Sequence, residues 1–495
     1  MFESAEIGHK LSKGEYRSIE PVLRADLLDA QYQLLKDART PVILLISGVR
    51  GAGKGETVNL LNEWMDPRHI HTRAFDNPTD EESARPPMWR YWRALPPKGR
   101  IGILFGSWYT GPIIDRVFKR TNGNAMLRSI EEINRFEKML ADDGAVVLKF
   151  WFHLSKKRQR KRLQSLQKDP ETNWRVTDRD WDFFKMYDRF YRISEEALRE
   201  TSTASAPWII VEGSDPEYRA VTVGRALLGA INEQIKKAAN PAKAKTDAAP
   251  LIRPVDKRNI LSGLDLSHAL TKKRYDTQLR KYQRDLALLT RHPKFREHTV
   301  IAAYEGMDAA GKGSAIRRIT PALDARLYSI IPVAAPTDEE RAQSHLWRFW
   351  RHLPMKGRFT IYDRTWYGRV LVERVEHFAA EADWMRAYGE INDFEEQLTR
   401  NGAVVVKYWL QISKEEQYRR FKERQKTRHK QFKITDEDWR NRKKWDDYQE
   451  AAADMIERTS TAYAPWTIVE SNDKLYARIK IIRTLCERLE QALAA

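Results

Sequence analysis

The pattern of apolar and polar positions along the chain alternates between short apolar runs and longer amphipathic stretches. In the second half, five runs of four to eight residues are rich in aliphatic and aromatic side chains, which is typical of buried strands. A helix is predicted before them, roughly from Leu270 to Leu289. Strands that alternate with helices predict an α/β fold with a parallel sheet covered on both faces. The predicted strands are His298 to Tyr304, Ser329 to Val333, Arg358 to Tyr362, Ala403 to Leu410 and Trp466 to Val469.

The same pattern occurs twice in the chain, at a constant offset of 258 residues, so that segment 48–56 matches 306–314. A repeat of this length is a duplicated globular domain rather than a solenoid, and 495 residues suit two domains. Residues 236–250 contain two prolines and no aromatic residue, as a solvated linker would. We therefore expect an N-terminal domain at residues 1–235, a linker at 236–258 and a C-terminal domain at 259–495.

The charge and cysteine content narrow the class of protein. Basic residues exceed acidic ones by 18, which favours a polyanionic partner such as nucleic acid, an anionic membrane surface or polyphosphate. Any single basic cluster can also be an ordinary solvated surface. The only cysteine, Cys486, excludes an intramolecular disulfide and a multi-cysteine metal site. Because the Met1 end lacks an apolar signal region and apolar runs such as Val42 to Ile46 are too short to span a bilayer, we expect a cytoplasmic protein without a membrane partner.

A glycine-rich loop follows the first predicted strand of the second copy and leads into a helix that runs from Lys312 towards Pro321. Glycines allow successive N–H groups to face a phosphate, the helix N-terminus adds partial positive charge, and Lys312 adds a full one. Gly313 occupies the place of the Ser or Thr that normally reaches Mg²⁺, so a metal would depend on other groups. The predicted phosphate-binding residues are Gly306, Gly311, Lys312, Gly313 and Ser314.

Two aspartates are placed to hold such a metal. Asp308 lies inside the loop, and Asp363 follows a strand, where phosphoryl-transfer enzymes place a metal-binding carboxylate. Arg364 and Arg369 follow Asp363, and guanidinium groups clamp phosphoryl oxygens and neutralise charge in the transition state. Asp363 alone is explained equally well as a helix N-cap. Its combination with Asp308 and Lys312 favours catalysis.

A very basic helix follows the fourth predicted strand, at about residues 414–424. This composition is typical of a lid, in which arginines close over phosphates and exclude water. Spacing does not settle whether Arg419, Arg420 or Arg424 points inward, and pairing with neighbouring glutamates on a solvated face explains part of the charge. We take Arg420 and Arg424 as the predicted phosphate-binding residues of the lid.

These motifs resemble the polyphosphate kinase 2 family in its fused two-domain form. The likeness rests on the loop 306–313, the segment 363–369 and the basic helix leading to 433–439, and it runs through both copies. The resemblance implies tandem P-loop kinase domains similar to nucleoside monophosphate kinases, each with a parallel sheet and a helical lid. It also implies Mg²⁺ as cofactor and transfer of the terminal phosphoryl group of inorganic polyphosphate to AMP, giving ADP.

The same resemblance assigns roles to residues of the second copy. Asp308 and Asp363 would position the metal or activate the acceptor phosphate, while Lys312, Arg364 and Arg369 would hold phosphates. The first copy lacks most of these groups, so we expect it to be catalytically inactive and structural. Residual anion binding through Lys54 and Arg50 is the alternative. The replacements are Asp308 by Arg50, Ser314 by Glu56, Asp363 by Phe105, Arg364 by Gly106 and Arg369 by Gly111.

Several alternatives remain at this stage. The acceptor can be ADP or GDP instead of AMP, because base selection depends on pocket shape, and the donor can be ATP, as in an ordinary nucleotide kinase. A nucleic-acid-binding protein with a vestigial loop would leave Asp308, Asp363 and the two arginines without a purpose, so we expect no nucleic acid partner. The segment 346–353 fits a core stripe better than a base-stacking surface. Symmetric pairing is the usual state of such enzymes, and a homodimer is expected.

Overall fold

The computed structural model describes residues 1–239, 251 and 258–494. Of the predicted linker 236–258, residues 236–239 continue a helix, and most of the rest lies outside the described residues. Grouped by their contacts, the described residues form two compact units. The first contains residues 1–78, 90–239 and 337–347, and the second contains 79–89, 258–336 and 348–494.

The first copy of the repeat contains a five-stranded parallel sheet in the order β2-β3-β1-β4-β5. Its strands are β1 Val42–Gly48, β2 Ile70–Ala74, β3 Ile101–Phe105, β4 Val146–His153 and β5 Trp208–Glu212. Its helices are α1 Lys13–Asp37, α2 Lys54–Trp64, α3 Asp80–Ser83, α4 Trp89–Trp92, α5 Thr110–Val117, α6 Gly123–Asp142, α7 Lys156–Lys168, α8 Asp178–Lys185, α9 Tyr187–Thr201 and α10 Pro216–Ala239.

The second copy has a parallel sheet of the same topology, in the order β10-β9-β6-β8-β7. Its strands are β6 Thr299–Gly306, β7 Tyr328–Pro332, β8 Phe359–Asp363, β9 Ala403–Gln411 and β10 Trp466–Glu470. Its helices are α11 Lys272–Leu289, α12 Lys312–Ile319, α13 Asp338–Arg341, α14 Trp347–Trp350, α15 Val372–Val375, α16 Glu381–Arg400, α17 Lys414–Lys426, α18 Asp436–Lys443, α19 Trp445–Thr459 and α20 Lys474–Ala494.

The sequence pattern predicted the elements of the second copy well. All five predicted strands are present, each within two residues of its predicted ends, and α11 begins two residues after the predicted start. The prediction works because central strands such as β6 are buried on both faces and carry continuous apolar runs. Phe349 and Trp350 of α14 are buried, which confirms the core interpretation of that segment.

The sheet of the second copy places the candidate chemistry at one edge. β6 lies between β8 and β9, and these three strands end at Gly306, Asp363 and Gln411. The loops that follow therefore meet at the carboxyl ends of parallel strands, where α/β proteins bind ligands. None of the helices in the described ranges is both long and apolar enough to cross a lipid bilayer.

Candidate active site

Two glycines with positive φ, Gly306 and Gly311, shape the backbone of the glycine loop between β6 and α12. Gly306 has φ +146°, and a Cβ at this position would lie 2.5 Å from the carbonyl oxygen of Leu410 on β9. Gly311, with φ +116°, caps the N-terminus of α12, and a Cβ placed on it would meet no atom within 4 Å. The loop is therefore packed tightly against the sheet at its start and is open above the helix N-terminus, where an anion binds most favourably.

The loop forms one wall of a cleft in the second unit. Lys312 lines this cleft, and its Nζ donates a hydrogen bond to the carbonyl oxygen of Gly306 at 2.7 Å. Asp308 and Arg364 line it as well, which brings three of the predicted catalytic residues together. The complete lining is Glu305, Gly306, Met307, Asp308, Lys312, Arg364, Gly368, Leu371, Val372, Trp409, Gln417, Asn441, Trp445 and Tyr448.

The carboxylate of Asp308 is held from two sides. Arg364 donates from Nη2 to Oδ1 at 3.3 Å, and Asn441 of α18 donates from Nδ2 to Oδ2 at 2.9 Å. Gln417 of α17 also donates to the main-chain oxygen of Asp308, at 3.1 Å. The lid helices α17 and α18 therefore fix both the backbone and the side chain of the predicted metal ligand.

The carboxylate of Asp363 lies at the end of β8, facing the start of α12. A Cβ placed on Gly313 would be 3.7 Å from Asp363 Oδ2, so the glycine leaves this side of the carboxylate open. Within the ranges that the structure describes, no donor reaches either carboxylate oxygen of Asp363. The same ranges contain no group of three or more His, Cys, Asp or Glu residues that could hold a metal. A divalent ion here would depend on two carboxylates, water and phosphate oxygens, which is the ligand set usual for Mg²⁺.

Two residues at the cleft and its glycine loop have left-handed backbone conformations although they are not glycine. Arg364 has φ +66° and Ala309 has φ +63°. Their counterparts in the first copy are Gly106, with φ +74°, and Gly51, with φ +78°. Non-glycine residues in this region carry strain of about 1–2 kcal/mol, and such strain is concentrated at functional sites. The second copy keeps an arginine at a position where glycine would be relaxed, which indicates a role for the guanidinium.

A buried carboxylate fixes the segment that carries Arg364. Glu305 is buried, and its Oε1 accepts hydrogen bonds from the Thr365 amide at 2.7 Å and from the Thr365 hydroxyl at 2.8 Å. Burial raises the pKa of Glu305, while the nearby charge of Lys312 lowers it. Glu305 thus links the end of β6 to the residue that follows Arg364.

A second buried network anchors the next residues of this segment and is present in both copies. Glu395 accepts hydrogen bonds from Trp366 and Tyr367, and it forms an ion pair with Lys407 at 2.7 Å in which both side chains are fully buried. In the first copy, Glu137 and Lys149 form the same pair at 2.7 Å, with Trp108 and Tyr109 bonded to Glu137. Because it persists where the predicted metal carboxylates are lost, this network supports the fold rather than the chemistry. Burial lowers the pKa of Lys407 and raises that of Glu395.

Arg420 has a different place from the predicted one. Its side chain is only 3% exposed and donates to the carbonyl oxygens of Ala309, Ala310, Ser471 and Asn472 at 2.6–3.0 Å, and to Glu416 at 2.5 Å. Through its hydrogen bonds to Ala309 and Ala310, Arg420 holds the glycine loop in place. Arg420 is not among the residues that line the cleft, and its observed contacts favour a positioning role over direct contact with phosphate.

Three further predicted residues do not line the cleft. Arg369 forms a salt bridge with Glu373 at 3.1 Å. Ser314 accepts hydrogen bonds from Arg478 of α20 at 3.0 and 3.1 Å, which orient the start of α12. Arg424 lies in the lid near Asp438; burial raises the pKa of the Asp438 carboxyl, and the charge of Arg424 acts in the opposite direction. The structure brings Asp308, Lys312 and Arg364 to the cleft, with Asp363 beside it, and leaves these three outside its lining.

Sequence reasoning missed several residues that line the cleft. Glu305, Asn441 and Tyr448 are polar groups in the second copy, and their counterparts are Ser47, Phe183 and Phe190. A comparison of the two copies at all polar positions would have found them. Gln417 would have escaped this test, because Gln159 of the first copy makes the same hydrogen bond, to the main-chain oxygen of Arg50 at 3.0 Å.

The corresponding loop of the first copy is filled by its own side chains. Arg219 of α10 is buried against Gly53, where a Cβ would lie 2.1 Å from its guanidinium, and it donates to Glu56 at 2.7 Å. Arg50 forms a salt bridge with Asp180 at 2.5 Å. Lys54 donates to two loop carbonyl oxygens at 2.7 and 2.8 Å, and burial together with the charge of Arg50 lowers its pKa to about 7. The groups that could hold an anion are thus engaged within the protein.

Comparisons with known proteins identify one family over both halves of the chain. The family model described as Polyphosphate kinase 2 matches residues 10–239 and 269–495. A polyphosphate:AMP phosphotransferase of Pseudomonas aeruginosa is 55% identical over 99% of both chains, and one of Acinetobacter johnsonii is 41% identical over 95% of this chain and 96% of its own. A crystal structure of a polyphosphate kinase 2 from Pseudomonas aeruginosa superposes with a TM-score of 0.90, at 53% identity over 99% of each chain.

Proposed function

The chain belongs to the polyphosphate kinase 2 family, and we propose that it transfers the terminal phosphoryl group of inorganic polyphosphate to AMP, forming ADP. The observation that carries the proposal is the 55% identity over almost the full length to a protein named polyphosphate:AMP phosphotransferase. The cleft supports it, since it combines an open helix N-terminus, a lysine, an arginine and two carboxylates at the ends of parallel strands.

A nucleoside diphosphate is the second candidate acceptor. A protein of Pseudomonas aeruginosa named ADP-polyphosphate phosphotransferase is 36% identical, but it matches only 46% of this chain. The relatives that match 95% or more of this chain carry the name polyphosphate:AMP phosphotransferase. This difference favours AMP as acceptor.

Within the proposed reaction, the residues of the cleft act mainly by position and charge. The main-chain amides at the start of α12 and the Lys312 ammonium bind phosphate oxygens. Arg364 offers a guanidinium that is about half exposed, so it can bind a transferring phosphoryl group while also contacting Asp308. Lid helices α17 and α18 hold Asp308 and line the cleft with Gln417 and Asn441, and we expect them to exclude water from the transfer.

A divalent cation fits this site. Phosphoryl transfer of this kind uses such ions, and we assign Mg²⁺ to the carboxylates of Asp308 and Asp363. When bound, the ion neutralises charge that develops on the phosphate oxygens. Asp363 has both carboxylate oxygens available for it, and Arg364 and Asn441 keep Asp308 in a fixed orientation.

The test is a transfer assay with the purified full-length chain, Mg²⁺ and AMP, with polyphosphate or ATP as donor. We expect ADP from polyphosphate, and Asp363→Asn should reduce the rate by about 100-fold or more. Brisk transfer from ATP and none from polyphosphate would contradict the proposal. ADP as the better acceptor, with ATP as product, would support the second candidate instead.

A matched pair of variants tests which copy is active. Lys312→Ala removes the only full positive charge on the glycine loop 306–313 and should reduce kcat by about 100-fold or more. Lys54→Ala changes the equivalent residue of the first copy, whose loop is filled by Arg219, and the rate should stay within about twofold of the parent. Equal losses in the two variants would contradict an inactive first copy.

A further inference from the structure

Helix α7 of the first copy carries an unusual concentration of positive charge. Its thirteen residues, Lys156–Lys168, include seven basic and no acidic side chains. The face formed by Gln159 and Leu163 is buried against the unit. On the opposite face, Lys157, Arg160, Lys161 and Lys168 are exposed and follow the spacing of one side of a helix. We call these four residues the α7 stripe.

The charges of the α7 stripe are not compensated. Neighbouring cations on the helix have acidic partners, since Lys156 pairs with Asp188 at 2.5 Å and Arg162 pairs with Glu56 at 3.0 Å. In the part of the chain that the structure describes, none of the four stripe residues forms a salt bridge. Positive side chains without acidic partners repel one another, and together they create a positive potential that attracts anions.

The second copy provides an internal control. Its equivalent helix, α17, has six basic and three acidic residues. Glu415 and Tyr418 stand where the stripe has Lys157 and Arg160. Arg419, the counterpart of Lys161, forms a two-point contact with Glu416 at 2.6 and 2.7 Å. The uncompensated stripe is therefore a property of the first copy and not a requirement of the shared fold.

We propose that the α7 stripe is a binding site for the phosphate chain of inorganic polyphosphate, distinct from the cleft of the second copy. This inference rests on the proposed use of polyphosphate as donor. The stripe runs along the helix for roughly 16 Å, at 1.5 Å per residue, so a linear polyanion can contact several cations in succession. A chain held at a second place is also kept at a high local concentration near the protein, which benefits long donors only.

The chemistry of the stripe favours polyphosphate over nucleic acid. Proteins that bind single-stranded nucleic acid combine cations with aromatic side chains on which bases stack. Helix α7 contains no aromatic residue, and Arg160 stands where α17 has Tyr418. A surface of aliphatic ammonium groups with one guanidinium suits a chain that presents only phosphates.

The experiment neutralises the stripe in the full-length chain as Lys157→Gln/Arg160→Gln/Lys161→Gln/Lys168→Gln. A second quadruple variant, Lys10→Gln/Lys13→Gln/Arg17→Gln/Lys36→Gln, removes the same net charge from exposed positions elsewhere in the first copy. Both are compared with the parent for transfer to AMP, with a long-chain and a short oligophosphate donor at two salt concentrations. Binding of long-chain polyphosphate and binding of single-stranded RNA are measured separately in the Asp363→Asn background, so these readouts do not depend on turnover.

The stripe variant should raise the KM for long-chain polyphosphate about tenfold at low salt, with kcat and the KM for AMP unchanged. The KM for the short donor should not change, and the salt dependence of long-chain binding should become less steep. Identical behaviour of the two quadruple variants would overturn the proposal, as would preferential loss of single-stranded RNA binding. Absence of ADP formation in the parent would instead count against the proposed function, while the binding measurement would still decide on the stripe.

Discussion

Arg364 reaches the cleft from an unfavourable backbone conformation. Its φ of +66° lies in the left-handed region, and the first copy has Gly106 at the same place with nearly the same φ. The backbone shape is therefore common to both copies, and only the second copy places a charged side chain on it. From this shape, the guanidinium reaches Asp308 at the cleft.

Replacing Arg364 by glycine or alanine should separate strain from function. Both variants lose the guanidinium, so both should lose transfer activity by about 100-fold or more. Arg364→Gly should have a free energy of unfolding about 1 kcal/mol larger than that of Arg364→Ala, because only glycine adopts a positive φ without strain. It should therefore unfold at a higher temperature. Differential scanning calorimetry of the full-length chain checks this, and equal or reversed transition temperatures would contradict the assignment of strain.

At the scale of elements, the lid helices α17 and α18 line the cleft and also hold the glycine loop. Helix α17 contributes Gln417 and Arg420, which bond to main-chain oxygens of the glycine loop, and α18 contributes Asn441 to the Asp308 carboxylate. In the first copy, Phe183 replaces Asn441 and packs under the Arg50 guanidinium at 4.4 Å. Asp308 and Asn441 of the second copy are thus replaced together by Arg50 and Phe183. The Asn441 amide donates a hydrogen bond to a carboxylate, and the Phe183 ring packs against a cation.

Asn441→Ala should therefore weaken the proposed Mg²⁺ site while leaving substrate contacts in place. We expect a roughly 10- to 100-fold higher Mg²⁺ concentration for half-maximal rate, because removing a group that orients a metal ligand typically costs this much. A Mg²⁺ titration of the transfer rate measures the shift. The control is Phe183→Ala in the first copy, which should leave the titration unchanged, and an unchanged titration in Asn441→Ala would contradict the positioning role.

The buried Lys–Glu pairs make a second prediction about the elements. Lys149→Met leaves Glu137 buried without its partner, which should destabilise the first unit by about 3–5 kcal/mol without affecting kcat at temperatures where the chain is folded. Adding Glu137→Leu should recover much of the loss, because it removes the unpaired charge. Thermal unfolding followed by calorimetry tests both variants, and an unchanged transition in Lys149→Met would show that the pair does not support this unit.

For the whole molecule, the duplication gives one cleft lined by predicted catalytic residues and one loop filled by its own side chains. Arg219 and Glu56 occupy the loop of the first copy, while the equivalent space above Gly311 is open. The net charge of the chain is +18, and the first copy contributes to it through surfaces such as the α7 stripe. We therefore expect one catalytic site in such a chain, in the second copy.

One nucleotide should therefore bind per chain. Equilibrium dialysis with labelled AMP in the presence of Mg²⁺ should give a stoichiometry of one, because the first loop is closed by its own side chains. Lys312→Ala should weaken this binding and Lys54→Ala should not. Two equivalents per chain, or half of the binding left after Lys312→Ala, would contradict a single site.

The sequence by itself determined the strands, the repeat, the order of the motifs and the loss of Asp308 and Asp363 in the first copy. These features are local, because a buried strand or a glycine loop depends on residues close together in the chain. Only the tertiary structure decided what the long side chains contact. Arg420 and Arg219 reach partners more than a hundred residues away, and segments 79–89 and 337–347 are assigned to their units by tertiary contacts alone. Side-chain direction and distant partners follow from packing, which a linear pattern does not contain.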